Sequence, residues 1–184
     1  MPTQVVAKEL IGKMLVKVGH GEQPLAGIIV ETEAYLSAGD GASHSAPGLT
    51  QRNRAMFARG GILYVYKIYG VHHCVNVVTE AEGVGCAVLL RAIQPVSGID
   101  AMINNRSTKT IESLCKGPGN LARAFGFTRQ YDFASLLTDK LFIQKGLVVP
   151  PEDIVTGSRV GIKKSADLQL RFYLKNSSCV SKKH

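Results

Sequence analysis

The stretch LAGIIVETEAY, residues Leu25–Tyr35, begins apolar and ends in a half that carries two carboxylates and an aromatic ring. Its branched apolar residues and the Gly-containing segments around it favour a β-strand. Side chains alternate along a strand, so Glu31, Glu33 and Tyr35 are predicted to share one face, opposite Val30. A carboxylate next to an aromatic ring fits a general base beside a stacking surface. An edge strand with solvated glutamates would give the same pattern, so this stretch alone leaves both interpretations open.

Further strands and short helices follow from the same signals of alternation, turn residues and helix caps. Strands are predicted at residues 13–18, 62–68, 73–79, 86–93, 140–144, 158–162 and 169–175. Helices are predicted near residues 5–11, at 99–105 and after Gly117, with Asn120 as the candidate N-cap. A turn is predicted at 19–24 and an extended tail at 177–184. The chain has no repeat and no break in composition, which indicates one α+β domain, residues 1–184, on a largely antiparallel sheet.

Net charge is the most informative feature of the composition. The 184 residues include 22 Lys and Arg against 14 Asp and Glu, which gives a formal charge of +8 and a pI of about 9.4. This balance is typical of proteins that bind polyanions and predicts a nucleic-acid partner, although a basic solvated surface would have the same composition. No apolar run approaches the roughly 18 residues of a membrane span, and the N-terminus lacks a signal-peptide pattern. We therefore expect an intracellular protein that does not associate with a membrane.

The spacing of cysteine and histidine argues against a metal site. The four cysteines are far apart, form no C-x-x-C pair and indicate neither a zinc site nor a disulfide framework. They are Cys74, Cys86, Cys115 and Cys179. His72 and His73 precede Cys74 directly, but neighbours on a strand point to opposite faces and no second ligand pair occurs elsewhere. We predict that the protein binds no metal.

Three tyrosines fall within the segment YVYKIYG, residues 64–70. Tyr64 and Tyr66 are predicted to share one face of a strand, whereas Tyr69 stands at a turn before Gly70. A ring at a turn near a lysine is placed to contact a partner such as a base step, where aromatic wedges hold DNA bent. Cross-strand aromatic pairs that stabilise a hairpin would explain the same residues.

Five segments of the chain resemble the alkyladenine (3-methyladenine) DNA glycosylase family. They occur in the family's order and cover nearly the whole chain: VETEAY at 30–35, RNRAMF at 52–57, LYVYKIYG at 63–70, VLLRA at 88–92 and LRFY at 170–173. The resemblance implies a mixed α/β domain around a curved antiparallel sheet with a protruding hairpin. It also implies a monofunctional enzyme that hydrolyses the N-glycosidic bond of alkylated or deaminated purines in damaged double-stranded DNA, and we expect this enzyme to be a monomer. Neither a metal nor another cofactor is implied.

The resemblance also assigns the chemistry to particular residues. Glu33 matches the family's general base and Glu31 does not, a choice that strand alternation cannot make. Arg91 and the main-chain carbonyl of Val160 match the groups that help Glu33 hold the attacking water. We further expect the Arg91 cation to keep Glu33 ionised.

Recognition of the damaged base is implied for a second set of residues. The rings that match the family's base sandwich are Tyr35, His44 and Tyr66. The main chain at Ala42 and His44 matches the part that reads the edge of the base, and Asn76 matches a side chain that discourages normal guanine. Tyr69 matches the wedge that enters the duplex.

Two other classes of function fit parts of the sequence. A catalytically silent nucleic-acid-binding module would explain the charge and the tyrosines, but it would not need Glu33 together with Arg91. A lyase with an amine nucleophile could use Pro2 after removal of Met1, as unrelated glycosylase-lyases use a terminal proline. Thr3 and the missing zinc-finger cysteines depart from the pattern of those enzymes.

Overall fold

The computed structural model describes residues 1–19 and 23–182. Its strands are β1 (Met14–Lys17), β2 (Leu25–Tyr35), β3 (Leu63–Ile68), β4 (His72–Val78), β5 (Ala87–Ser97), β6 (Leu141–Gln144), β7 (Ile154–Gly157) and β8 (Arg171–Leu174). Its α-helices are α1 (Thr3–Glu9), α2 (Ile99–Arg106) and α3 (Pro118–Ala124). Part of the predicted turn at 19–24 and the last two residues of the predicted tail lie outside the described residues.

Strand β2 is the centre of the sheet. The strand order is β3-β4-β5-β2-β1-β6, and the neighbours pair antiparallel. One edge of β2 pairs with β5, whereas the other edge is shared by β1, at residues 25–28, and β8, at residues 31–33. Strand β7 extends this side by pairing with β8. The sheet curls into a half-barrel, and the predicted α+β fold on a curved antiparallel sheet is confirmed.

Strand β2 is buried on both faces, which is why its sequence does not simply alternate between apolar and polar residues. Nine consecutive residues, from Ala26 to Ala34, are buried. One face joins the main apolar core, to which the helices also contribute, and there the Thr32 hydroxyl donates to the Ala7 carbonyl of α1 at 2.8 Å. The other face carries Glu31 and Glu33, whose buried carboxylates therefore need partners supplied by the fold.

A β-bulge in β2 changes which of its side chains share a face. Between the pairs Ile29–Ile93 and Glu31–Ala92, β2 advances by two residues and β5 by one, so Val30 is the extra residue. Val30 packs against the C-terminal end of the chain, which also contacts the carboxylate of Glu31. The prediction that these two side chains lie on opposite faces is wrong, because the bulge interrupts the alternation.

A second bulge restores the register one step later. Between the pairs Glu31–Ala92 and Thr32–Leu90, β5 advances by two residues and β2 by one, so Arg91 is the extra residue. Bulges re-aim side chains and are common next to active sites. This one brings the guanidinium of Arg91 to both carboxylates of β2.

The hairpin of β3 and β4 ends in a strained turn, and three residues, Tyr69 to Val71, connect the paired ends of the strands. The Val71 amide donates to the Ile68 carbonyl at 3.3 Å, and the two central residues, Tyr69 and Gly70, have φ values of +51° and +71°. Positive φ at both positions defines a type I′ turn, which Asn-Gly suits best. A tyrosine in this left-handed region costs on the order of 1–3 kcal/mol. Tyr69 is 85% exposed, so the cost is not offset by packing.

The predicted strand at residues 158–162 is wrong. The strand in this part of the chain, β7, ends at Gly157, and the following residues form a loop. Gly161 has a φ of +76°, outside the β region, and the amide of Val160 donates to Glu33 instead of a neighbouring strand. The loop belongs to the candidate site described below.

Two predictions about the ends of elements also need correction. Asn120 is not an N-cap, because α3 begins at Pro118 with Gly117 in the cap position, and Asn120 instead donates to the Lys116 carbonyl at 2.7 Å. Proline suits the first position of a helix, where no amide partner is needed. The C-terminal tail is not simply extended, since it turns at residues 178–179, and its residues 179 and 180 are buried against the sheet.

Candidate active site

A cavity of about 200 Å³ lies between the β3–β4 hairpin, the segment after β2 and the loop after β7. Seven of the nine predicted site residues line it: Tyr35, Ala42, His44, Tyr66, Asn76, Arg91 and Val160. Pockets for drug-sized ligands measure roughly 300–1,000 Å³. The smaller volume and the aromatic lining suit one planar group such as a nucleobase.

Glu33 lies behind the lining, in contact with three residues that form it. It is fully buried, and its Oε1 accepts from the Val160 amide at 2.7 Å and lies 3.4 Å from Arg91 Nε. Its Oε2 accepts from the Tyr35 hydroxyl at 2.9 Å. The contact with residue 160 is made by its N–H, so the predicted role of the Val160 carbonyl stays a prediction.

Burial raises the pKa of Glu33 above its usual value, although Arg91, the Val160 amide and the Tyr35 hydroxyl oppose the shift. Arg91 favours the ionised form, as expected, but it does not keep the pKa at or below its usual value, because removal of the carboxylate from water outweighs the attraction of the cation. A carboxyl whose pKa is moved toward neutrality is better matched to proton transfer near neutral pH.

Two of the predicted stacking rings contact each other directly. The centroids of His44 and Tyr66 are 4.5 Å apart in an edge-to-face arrangement, and a 2.9 Å hydrogen bond joins His44 Nδ1 to the Tyr64 hydroxyl. Burial lowers the pKa of His44 and nearby Arg52 adds to the effect, so the imidazole is neutral at pH 7. The site therefore presents uncharged, electron-rich rings. A base that stacks between His44 and Tyr66 would require one of them to change rotamer.

The main chain at Ala42 and His44 is partly occupied by protein contacts. The Ala42 amide donates to Asp40 Oδ1 at 3.1 Å, and the His44 carbonyl accepts from Asn53 Nδ2 at 2.8 Å. Hydrogen bonds to a base edge would therefore fall to the Ala42 carbonyl and the His44 amide. This pair offers one acceptor and one donor side by side.

Asn76 and Tyr69 occupy opposite ends of the hairpin. Asn76 is buried on β4, where Nδ2 donates to the Tyr64 carbonyl at 3.0 Å and fixes the orientation of the amide. Tyr69 lies at the tip, outside the cavity. Sequence reasoning placed these two residues correctly on the strand and at the turn, and their roles in recognition stay predictions.

A buried ion pair ties together the two loops that flank the cavity. Arg159 binds Asp40 through two 2.6 Å hydrogen bonds, and its guanidinium lies 4.6 Å from the centre of the Tyr35 ring. Such paired contacts have strict geometry, so they hold Val160 and the Asp40 loop in place. Sequence reasoning missed this pair, because nothing in the spacing of Asp40 and Arg159 indicates that they meet.

Other supporting residues were also missed. Asn53 donates to the carbonyls of His44 and Gly48 and so anchors the segment before it, although the RNRAMF motif that contains it was recognised. Glu31 is fully buried and contacts Arg91, Arg171 and the C-terminal segment. The only sequence signal for these contacts is the presence of Glu31 and Arg171 in recognised motifs.

The part of the chain that the structure describes contains no group of three or more potential metal ligands. His72 is exposed and His73 half-buried beside the hairpin tip. Nor does any helix within residues 1–19 and 23–182 have the length and apolar character needed to cross a membrane.

Comparison with known proteins identifies the family. The sequence model described as Methylpurine-DNA glycosylase (MPG) matches residues 1–178. A protein of Methanoculleus marisnigri is 51% identical over 98% of this chain and 94% of its own length. One of Prosthecochloris aestuarii is 44% identical over 98% of this chain and 87% of its own length. One of Rhodopseudomonas palustris is 48% identical, with coverages of 96% and 84%. All three carry the name "Putative 3-methyladenine DNA glycosylase". The chain therefore belongs to the methylpurine-DNA glycosylase family.

Proposed function

We propose that this protein is a monofunctional DNA repair glycosylase that flips alkylated or deaminated purines out of duplex DNA and hydrolyses their N-glycosidic bond. The observation that carries the proposal is the fully buried Glu33 carboxylate, which contacts Arg91, Tyr35 and the Val160 amide behind an aromatic cavity of about 200 Å³. A module that only binds nucleic acid has no need for a desolvated carboxylate at this place. Family membership and the names of the relatives support the same reaction class.

The aromatic cavity makes base flipping energetically feasible. Extrusion of a base costs a few kcal/mol, and stacking on an aromatic side chain returns about 1–3 kcal/mol per base. Tyr35, His44 and Tyr66 supply the rings inside the cavity, and the exposed Tyr69 enters the duplex and fills the gap. Asn76 and the main chain at Ala42 and His44 then select among the flipped bases.

Glu33 removes a proton from a water molecule that attacks the anomeric carbon, with Arg91 and the Val160 carbonyl helping to hold the water. The bond between that carbon and the purine nitrogen breaks, its electron pair leaves with the base, and an abasic site remains; an alkylated purine thereby becomes neutral, whereas a deaminated purine leaves as an anion that takes a proton from solvent. A purine alkylated at N3 or N7 is already cationic, so it leaves without the second carboxylic acid that an inverting glycosidase normally uses. Aromatic rings favour such a cation by roughly 0.5–2 kcal/mol.

The surface charge supports a DNA partner. The formal charge of +8 favours binding to the phosphate backbone, and this contribution weakens as salt rises. The protein acts as a monomer wherever the cell keeps its DNA, within one glycosylase domain that spans residues 1–184.

Release of the free base from defined duplexes tests the proposal. Duplexes that carry 3-methyladenine, 7-methylguanine, ethenoadenine or hypoxanthine are incubated with the protein in EDTA, and the released bases are quantified. We expect release of at least one damaged purine, an uncut abasic strand and no covalent product with borohydride. Binding without release would favour the silent nucleic-acid-binding module. A borohydride-trapped adduct would favour the lyase, and loss of activity in EDTA with recovery on added metal would contradict the cofactor-free mechanism.

A further inference from the structure

The C-terminal segment, residues 179–182, folds back onto the carboxylate of Glu31. The Ser181 amide donates to Glu31 Oε2 at 2.7 Å, and the Ser181 hydroxyl donates to Glu31 Oε1 at 2.9 Å. Cys179 and Val180 are buried beside Ala92 and Tyr173, so apolar packing holds the segment in this place. The contact is therefore part of the folded structure and not a loose end lying on the surface.

The same segment also reaches Arg91. The hydroxyl of Ser181 accepts a hydrogen bond from Arg91 Nη2 at 3.1 Å while it donates to Glu31. Arg91 Nε lies 3.1 Å from Glu31 Oε1 and 3.4 Å from Glu33 Oε1. One serine hydroxyl and one carboxylate thus fix two different nitrogens of the guanidinium. A guanidinium held at two points cannot rotate away from Glu33 without losing charged hydrogen bonds.

Arg171 completes the arrangement by balancing the charge of Glu31. Its Nε donates to Glu31 Oε1 at 2.7 Å, and it also bonds to the Lys182 carbonyl, so it joins the carboxylate to the end of the segment. Two carboxylates and two guanidiniums meet in this buried cluster. Because Arg171 compensates Glu31, the positive charge of Arg91 remains available to Glu33.

We propose that Glu31 and Ser181 are positioning residues that fix the Arg91 guanidinium beside Glu33, so that the C-terminal segment completes the active site. The inference rests on the proposed function, because it gives the segment a role in the proposed hydrolysis. Neither residue lines the cavity, and both act through Arg91.

The variant Ser181→Ala tests the inference, because it removes the hydroxyl but keeps the main-chain bond to Glu31. Arg91 then loses one of the two hydrogen bonds that fix it. Because Arg91 lowers the pKa of Glu33, that pKa should rise when the guanidinium is held less firmly. We expect single-turnover base release at pH 7 to fall by about tenfold. Affinity for lesion DNA should stay within twofold, and the acidic limb of the rate profile should move to higher pH. Ser181→Thr restores the hydroxyl and should restore both properties.

A control variant and the rescue by Ser181→Thr separate positioning from simple loss of stability. Ser177→Ala removes a hydroxyl of the same tail that accepts only a local hydrogen bond from the Cys179 amide, and it should leave rate and pH profile unchanged. A Ser181→Ala variant with unchanged rate and unchanged acidic limb would overturn the inference. The inference would also be overturned if the rate fell together with Tm while the acidic limb of the rate profile did not move. A loss of rate that Ser181→Thr did not reverse would overturn it as well.

A measurement independent of activity distinguishes failure of this inference from failure of the proposed function. The carboxyl carbon of Glu33 is followed by NMR across pH in protein with carbon-13-labelled glutamate, and its signal is identified by its absence from Glu33→Gln. The Ser181→Ala variant should titrate at higher pH than the parent. If the parent released no base yet this shift occurred, the proposed function would fail and the positioning role would stand. Identical titrations would overturn the positioning role whether or not the protein is active.

Discussion

The hydroxyl of Tyr35 donates to Glu33 Oε2 at 2.9 Å, and the ring of the same tyrosine lines the cavity. One side chain therefore touches both the proposed general base and the place proposed for the damaged purine. The two residues are two positions apart on β2, where strand alternation brings them to the same face. Tyr35 therefore links the stacking of the purine to the ionisation of Glu33.

Replacing Tyr35 with phenylalanine should separate those two contributions. The hydroxyl bond lowers the pKa of Glu33, so its loss should raise that pKa and move the acidic limb of base release to higher pH. Above the limb, the rate should stay within a few-fold of the parent because the ring remains. Tyr131→Phe, which removes a hydroxyl from a ring packed edge-on against Phe127, is the matched control. If the acidic limb of the Tyr35→Phe rate profile did not move, the hydroxyl would have no influence on the ionisation of Glu33.

Replacing Glu33 with glutamine should abolish base release while lesion binding stays within several-fold. The amide keeps the volume of the carboxyl but cannot accept a proton, and general-base catalysis contributes on the order of 10²–10⁴-fold. Single-turnover rates and binding to a lesion duplex are measured together. Glu82→Gln changes an exposed glutamate and should behave like the parent protein. Equal rates for the two variants would remove Glu33 from the mechanism.

The stability of the same Glu33→Gln variant should rise relative to that of the parent as the pH increases. Burial raises the pKa of Glu33 from its usual 4.5, so above pH 4.5 the folded protein retains a proton that the unfolded chain has lost. The stability associated with the protonated carboxyl is lost as pH rises through the folded-state pKa. Glutamine does not titrate, so the difference in Tm between variant and parent should change in favour of the variant as the pH rises above 4.5, until Glu33 has ionised in the folded parent as well. A difference of 1 kcal/mol shifts Tm by roughly 2–4 °C, which thermal unfolding resolves. A gap that does not vary with pH would contradict the raised pKa.

Replacing Tyr69 with asparagine should stabilise the hairpin and impair flipping. Asn-Gly is the preferred sequence for a type I′ turn, so the strain of a tyrosine at a φ of +51° is relieved while the exposed ring is lost. Ethenoadenine fluorescence reports stacking directly and follows flipping separately from excision. We expect a higher Tm and a smaller flipped fraction. Tyr66→Ala removes a ring inside the cavity and should instead weaken discrimination among lesions. If Tyr69→Asn flipped the base as fully and for as long as the parent protein, Tyr69 would not be the wedge.

Much of the fold could be predicted from the sequence because its signals are local. The branched apolar residues of β2 and the turn residues of the β3–β4 hairpin are contained within each segment, and the structure has both elements. Periodicity could not reveal Val30 and Arg91 as extra residues, because a bulge arises from the pairing of two strands distant in sequence. The predicted strand at 158–162 was wrong for a related reason, since the Val160 amide bonds to a carboxylate 127 positions away.

The candidate site likewise contains residues that local sequence signals predicted and residues that they could not predict. Five recognised segments correctly indicated the family and contain seven of the fifteen residues that line the cavity, because motif residues carry the chemistry themselves. The residues that hold the site in place could not be predicted, because Asp40 contacts Arg159 and Ser181 contacts Glu31 across long stretches of chain. Common side chains without a local pattern give no signal until the chain has folded.

The paired bulges at Val30 and Arg91 restrict how these strands can change in length. Because β2 contributes one extra residue at the first of these bulges and β5 contributes one at the second, the register from Thr32 onward is the same as the register before Val30. Deleting one residue alone would slip the strands by one position and turn the face that carries Glu33 toward the apolar core. Deleting both would restore the register but remove the arginine. An insertion or deletion in β2 is therefore tolerated only with a matching change in β5, so the two strands must evolve in length together.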